Sequence, residues 1–246
     1  EKRSKATIID TITADLKGKS SFQSHVVEII ADESSHITYI TVQHYPQHVR
    51  HFSTKNAIVG KEAAVNWVDG VLGSSVTQST ITTMLEGEGA ATQNFGLFFG
   101  DMEDRFDLAV QAIHASSHTK SRMLTNGVLA GKAKATYHGL IKVQPFAVGC
   151  DGYQKENTLL LSEDAVIDPV PVLEIHNDDV TCSHGTTVSD VDDEKMFYLM
   201  SRGLDETTAR HSVVEGFFEQ IFKEIADDTA REDVKNIISM KIKGVC

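Results

Sequence analysis

Cys182 and His184 stand two residues apart in the run Cys182-Ser183-His184-Gly185, and that spacing decides what they can do together. On an extended strand the side-chain period is two, so the thiol and the imidazole leave the same face. A soft sulfur beside a borderline nitrogen is a donor pair for a transition metal or an iron-sulfur centre. Two donors do not complete a four-ligand site. Within the chain, His176 and Cys150 are the candidates to make up a zinc set with them, in a spacing that matches no standard structural zinc pattern. An iron-sulfur cluster would instead need ligands from a second chain. The plain alternative is a packed cysteine and a hydrogen-bonded histidine at a protein interface.

Other chemistry lacks its minimum parts. Gly127-Val128-Leu129-Ala130-Gly131-Lys132-Ala133 resembles a phosphate-binding loop, but it is one residue short between glycines and has alanine where a magnesium-binding hydroxyl belongs. Gly87-Glu88-Gly89 has no third glycine, so no dinucleotide site is expected. The sequence contains no Gly-x-Ser-x-Gly, no His-Glu-x-x-His and no Cys-x-x-Cys. Any nucleotide-driven step therefore belongs to a partner. His44, His48 and His51, like His114 and His118, read as surface or hydrogen-bonded residues.

A net charge of -12 argues against binding nucleic acid or an anionic membrane, which both need a basic face. No apolar run approaches the length of a membrane span and no leader is evident. Three cysteines, Cys150, Cys182 and Cys246, are odd in number and widely spaced, which fits a reducing, cytoplasmic setting better than a disulfide framework. Cys150 and Cys246 read as small packed side chains. The 246 residues begin at Glu1, not methionine, and read as a trimmed chain or a fragment.

The elements that must position the pair change character near residue 189. Before it, apolar and polar residues alternate, as in Ile37-Thr38-Tyr39-Ile40-Thr41-Val42, and Gly, Ser, Asp and Glu clusters such as Lys17-Gly18-Lys19 and Asp32-Glu33-Ser34-Ser35 interrupt them. Period two with β-branched residues predicts strands, and the clusters predict turns. Many short strands at this spacing make a sandwich, a barrel or a solenoid, and no consensus repeat at fixed period selects among them. After it, Ser189 or Asp190 is placed to cap a helix with Met196, Leu199 and Met200 on one face and Gly203 past its end. Asp205 opens a second helix bearing Val213, Phe217, Ile221 and Ile225, with Val214, Phe218 and Phe222 beside them. A third starts at Asp228. The expected division is a β body over 1–188 and a helical region over 189–246.

Leu173-Glu174-Ile175, Asp178-Asp179-Val180, Cys182-Ser183-His184-Gly185, Thr186-Thr187-Val188, an acidic pair, Phe197-Tyr198-Leu199, Ser201-Arg202-Gly203, Ala209-Arg210 and the EGFFEQ run at 215–220 follow one another in order. Together with GLIKV at 139–143 and GYQKENTLLLS at 152–162, this series resembles the SufB/SufD family of iron-sulfur cluster assembly scaffolds, from about residue 25 to the end. The intact Cys-Ser-His-Gly is more similar to SufD than to SufB. SufB-type chains carry a sulfur-accepting cysteine after the GYQ element, where this chain has Glu156. Thr186 and Ser189 replace a usual alanine and glycine, and the helical N-terminal region of longer members is absent.

The resemblance implies a mainly β fold, a right-handed parallel β-helix followed by a small α-helical segment whose helices could cap one end of the stack. It implies a non-catalytic scaffold that binds no nucleotide itself. Cys182 and His184 would contribute to a transient iron-sulfur cluster at an interface with a SufB-like subunit or, in self-association, a second copy. A SufC-type ABC ATPase would dock on the second C-terminal helix, with Val213, Phe217, Phe218, Ile221 and Phe222 as anchors. ATP binding would draw two ATPase subunits together and open the scaffold interface. The competing reading is a β-solenoid carbohydrate-active or carbohydrate-binding protein, which leaves the 172–203 signature without a role.

Overall fold

The structure, a computed structural model, describes residues 1–14, 19–225 and 227–245. Lys17 and Gly18 of the expected first turn, and Cys246, lie outside the described residues. Thirteen strands precede three helices: β1 (Lys5–Thr13), β2 (Ser21–Ala31), β3 (His36–His44), β4 (Val49–Val59), β5 (Ala64–Val71), β6 (Val76–Leu85), β7 (Ala91–Gly100), β8 (Arg105–His114), β9 (Lys120–Leu129), β10 (Lys134–Val143), β11 (Cys150–Leu160), β12 (Val166–Ile175), β13 (Val180–Asp190), α1 (Asp193–Ser201), α2 (Glu206–Phe222) and α3 (Asp228–Val245).

Odd-numbered strands form one seven-stranded sheet in the order β1-β3-β5-β7-β9-β11-β13, and even-numbered strands form a facing six-stranded sheet. Every neighbouring pair is parallel. The chain thus alternates between the sheets and climbs one coil per strand pair, a parallel β-solenoid of about six turns. Lys5 pairs with His36, His36 with Ala64, Ala64 with Ala91, Ala91 with Lys120 and Lys120 with Asp151. The steps vary from coil to coil, which is why no fixed period shows in the sequence.

Alternation fixes which residues face inward. In β4, Val49, His51, Ser53, Lys55, Ala57 and Val59 are buried, while Arg50, Thr54, Asn56 and Ile58 between them are exposed. The odd-numbered strands behave differently. β7 is buried at nearly every position because both of its faces are covered, Phe98 toward the interior and Phe95, Leu97 and Phe99 toward the helices. Glycines inside such strands make room rather than turns. A β-carbon at Gly96 would meet the Thr125 hydroxyl at 2.8 Å, and in β10 of the facing sheet one at Gly139 would meet the Gln154 amide oxygen. Gly127, in the phosphate-loop lookalike, lies in β9 against the Phe98 ring, and Gly131 follows in a turn at φ 61°.

The helices do not cap the solenoid. α2 packs on β7 and β9, and α3 reaches β3, so the helical layer lies along the outer face of the seven-stranded sheet. The cause is the second apolar face of that sheet: Ile40, Val42, Val68, Leu72, Phe95, Leu97, Phe99, Leu124, Val128 and Leu159 form one core with Val214, Phe218, Ile221, Phe222, Ile225 and the apolar side of α3. Asn126 donates to the Phe217 carbonyl at 2.7 Å, and Lys241 of α3 meets Asp101 at 3.2 Å. Asp192, not Ser189 or Asp190, caps α1 by accepting from the amides of Glu194 and Lys195, because β13 keeps its extended backbone through Asp190. Asp205 caps α2 as the sequence predicts, and Gly203 takes the left-handed conformation just past α1 at φ 96°.

Candidate functional site

β13 is the outermost strand of its sheet. Its register sets Cys182 beside Gly152, His184 beside Gln154 and Thr186 beside Glu156 of β11. The two candidate donors therefore sit in consecutive inward-facing rows at the last coil, on a strand with one free edge. Cys182 is half-buried and packs against the interior core cluster, whereas His184 is exposed. Burial raises the Cys182 thiol above its ordinary value, and the neighbouring Cys150 and Asp151 add to the rise against a backbone hydrogen bond from Gly152. At neutral pH the isolated chain holds this sulfur as a thiol, so ligation or nucleophilic attack requires a metal or base that removes the proton.

Cys150 lies on the same inward face of β11, fully buried, within 3.2 Å of the Thr119 hydroxyl. It is in register with Val180, two residues before Cys182. That diagonal puts their α-carbons about 8 Å apart by strand spacing and rise, beyond the reach of a disulfide without backbone movement. His176 is exposed just beyond β12. Among the described residues no three His, Cys, Asp or Glu side chains are placed to share a metal ion. The zinc set of Cys182, His184, His176 and Cys150 is not assembled.

The ATPase-anchor residues fall into two groups. Phe218, Ile221 and Phe222 are at most 1% exposed, inside the core beneath α2. Their side chains hold the helix to the sheet and are covered in this structure, unlike the other two residues expected to anchor the ATPase. Val213 and Phe217 are partly buried and line a groove of about 760 Å³ with Leu159, Tyr198 and Leu199. A second groove of about 760 Å³ runs along the other side of α1, lined in part by Leu161, Met196, Phe197 and Met200. Phe197 is 74% exposed and Tyr198 57%, so the exposed aromatic side chains of the helical layer belong to α1.

Sequence reading missed a polar seam in the solenoid interior. Asp10, Thr41, Asp69, Gly96, Thr125, Glu156 and Thr186 occupy successive positions in register across all seven odd-numbered strands, one residue per coil at about 4.8 Å. Lys55 of the facing sheet, 1% exposed, pairs with Asp69 and donates to Thr41 at 3.0 Å. Asn94 is buried with neither end of its amide bonded, and so are both ring nitrogens of His51. His51 is thus neither a surface nor a hydrogen-bonded residue, and burial lowers its pKa to about 4. His114 is also buried but bonded, to Thr119 and Ser121 at 2.8 Å each, with its pKa again lowered to about 4 chiefly by burial. His44 is half-buried, with its pKa lowered. The signal was available as phase, since each seam residue falls on the inward beat of its strand.

The described helices include none long and apolar enough to cross a membrane. A family model for the SufBD core domain of SUF-system FeS cluster assembly matches residues 1–217, starting earlier than the resemblance read from about residue 25 and ending within α2. A Staphylococcus saprophyticus protein named as an iron-sulfur cluster assembly SufBD family protein is 31% identical over 236 residues, covering 96% of this chain and 50% of its own length. A Staphylococcus aureus protein of the same description is 32% identical with the same coverage. One from Mycobacterium leprae is 34% identical over 96% of this chain and 27% of its own length. The chain spans about half the length, or less, of these relatives. On the family match, the shared sequence and the solenoid that carries them, this chain belongs to the SufBD family of iron-sulfur cluster assembly proteins.

Proposed function

We propose that this chain is a non-catalytic scaffold subunit, SufD-like by its Cys-Ser-His-Gly run, that presents Cys182 and His184 to a nascent iron-sulfur cluster at an interface. The cluster is cargo, shared with a SufB-like subunit or a second copy of the chain. The observation that carries this reading is the position of both donors on β13, the strand with the free edge, in a SufBD family chain. An unpaired edge offers its amides and carbonyls to a partner strand. Docking there brings a second set of donors to a pair that alone leaves a cluster under-ligated.

The helical layer fits the docking of a SufC-type ATPase. Its available surface is α1, with Phe197, Tyr198 and Met200 exposed between two grooves, and Val213 and Phe217 at the floor of one of them. Phe218, Ile221 and Phe222 serve as the mount. ATP hydrolysis belongs to that partner, and a reducing, cytoplasmic setting suits the free Cys150 and Cys182.

The test is anaerobic incubation with ferrous iron and sulfide. The chain alone should stay nearly colourless, and a SufB-type partner should generate iron-sulfur absorbance that His184→Ala reduces. A stable stoichiometric cluster on the lone monomer would overturn the shared-site reading.

A further inference from the structure

Glu156 is a carboxyl side chain inside the solenoid, 1% exposed, with no cation paired to it among the described residues. One of its oxygens accepts from the Thr158 hydroxyl, and the other, equally buried, has no partner. From β11 itself, Gln154 and Thr158 share its face. From β9 it faces Thr125, in register, and from β10 the Tyr137 phenol, which accepts from Thr125 at 3.2 Å. From β13 it faces Thr186 in register, with His184 one inward position away and Cys182 the next; Gln154, not Glu156, is the residue paired with His184. The six-stranded sheet closes this coil with β12, where Val172 accepts from Gln154 at 3.3 Å. The Lys55–Asp69 pair occupies the same seam three strands away. Lys55, the buried cation of the seam, is committed to Asp69.

A carboxyl in such a seat is stable only while neutral, because the ion would be stripped of water with nothing to replace it. Relief can come from one direction. Toward β9 the seam continues into coils buried on both faces, whereas toward β13 there is a single strand, largely exposed, and then solvent. We propose that Glu156 is a pH-sensitive latch on the last coil: neutral, it lets β13 close over the seam, and ionised, it loosens β13 together with Cys182 and His184. Burial sets the range, holding the carboxyl proton up to about 7, so the latch works around neutral pH. A more alkaline medium would free the donor strand, and a more acidic one would hold it in register.

Amide hydrogen exchange on the full chain, corrected for the intrinsic pH dependence of exchange, tests this. Between pH 6 and pH 8.5 the wild-type segment Val180–Asp190 should lose about tenfold in protection, the linkage expected for a carboxyl that ionises near 7 when closed and normally when open. β7 and β9 should change little. Glu156→Gln keeps the shape and removes the charge, so β13 protection should become flat across the range. Wild-type β13 no more pH-sensitive than β7, or Glu156→Gln retaining the tenfold loss, overturns the latch. Should the Gln variant fold poorly, Glu156→Met is read by the same two outcomes.

Discussion

Cys182 lies in register with Gly152 of β11, and its sulfur is 3.1 Å from the point that a β-carbon at residue 152 would occupy. Ile141 of the facing sheet closes on the same point at 3.0 Å. The half-buried position of the thiol therefore depends on a neighbour with no side chain. Burial in this seat is the main reason the sulfur stays protonated, with Cys150 and Asp151 adding to it.

Gly152→Val should evict the Cys182 side chain from its seat. Filling the space costs on the order of 1–3 kcal/mol of stability, and the displaced thiol gains water and ionises more readily. The measurement is the alkylation rate of Cys182 at pH 7.5 alongside the denaturant midpoint. A lower midpoint with faster alkylation is expected. An unchanged rate would show that burial by Gly152 is not what restrains the thiol.

Acid should unfold the solenoid through its interior histidines. His51 and His114 have pKa values lowered to about 4 by burial, below the ordinary 6.5 of an unfolded chain. The unfolded state thus binds more protons between these limits. Stability from each neutral imidazole is complete above pH 6.5 and falls as pH drops toward 4, by about 3 kcal/mol apiece. Glu156 acts in the opposite sense, since its raised pKa makes stability decline as pH rises from 4.5 toward 7. Asp104, whose pKa burial raises to about 6, acts in the same sense as Glu156, so the informative quantity is the difference between variants: between pH 7 and pH 4, His51→Phe should lose about 3 kcal/mol less stability, read from urea midpoints, than wild type. A pH dependence that overlays wild type would exclude His51 as a contributor.

Much of the fold was legible because alternation and turn clusters are local signals. β3 declares itself in Ile37 to Val42, and Asp205 announces α2. What alternation cannot say is how many faces a sheet must bury. The nearly unbroken apolar run Phe95 to Phe99 held that information, since a strand covered on both sides loses its polar beat, and it foretold a helical layer on the sheet face rather than at the stack end. The donors Cys182 and His184 were legible from spacing. The seat of the thiol was not, because it is made by Gly152 and Ile141, separated from it in sequence and joined only by coil register. Which of the α2 residues lie beneath the helix, Phe218, Ile221 and Phe222, was hidden for a related reason. A wide apolar stripe fixes that a helix packs, and only the sheet beneath decides which ridge faces inward.

The tie between α2 and the solenoid should be breakable at one side chain. Asn126 donates to the Phe217 carbonyl at 2.7 Å and accepts from Asn157 at 2.9 Å, in a layer that is apolar over most of its extent. Asn126→Leu leaves the Asn157 amide without its acceptor and should cost about 1–3 kcal/mol. A lower melting temperature with intact β-rich circular dichroism is the expected result. Stability equal to wild type would mean that apolar packing alone seats the helix.

Partner docking and helix mounting should separate by substitution. Phe218→Asp places a charge at a fully buried site and should strip the helical layer from the sheet, with a loss of several kcal/mol. Phe197→Asp alters a side chain that is 74% exposed, so the fold should persist within about 0.5 kcal/mol. Co-elution with a SufC-type ATPase on a sizing column distinguishes the two roles, provided the circular dichroism of each variant is recorded first. Loss of co-elution in folded Phe197→Asp supports docking on α1. If that variant still binds at wild-type affinity, and Val213→Asp or Phe217→Asp in the adjoining groove also does, the partner seats elsewhere and the α1 surface loses its assignment.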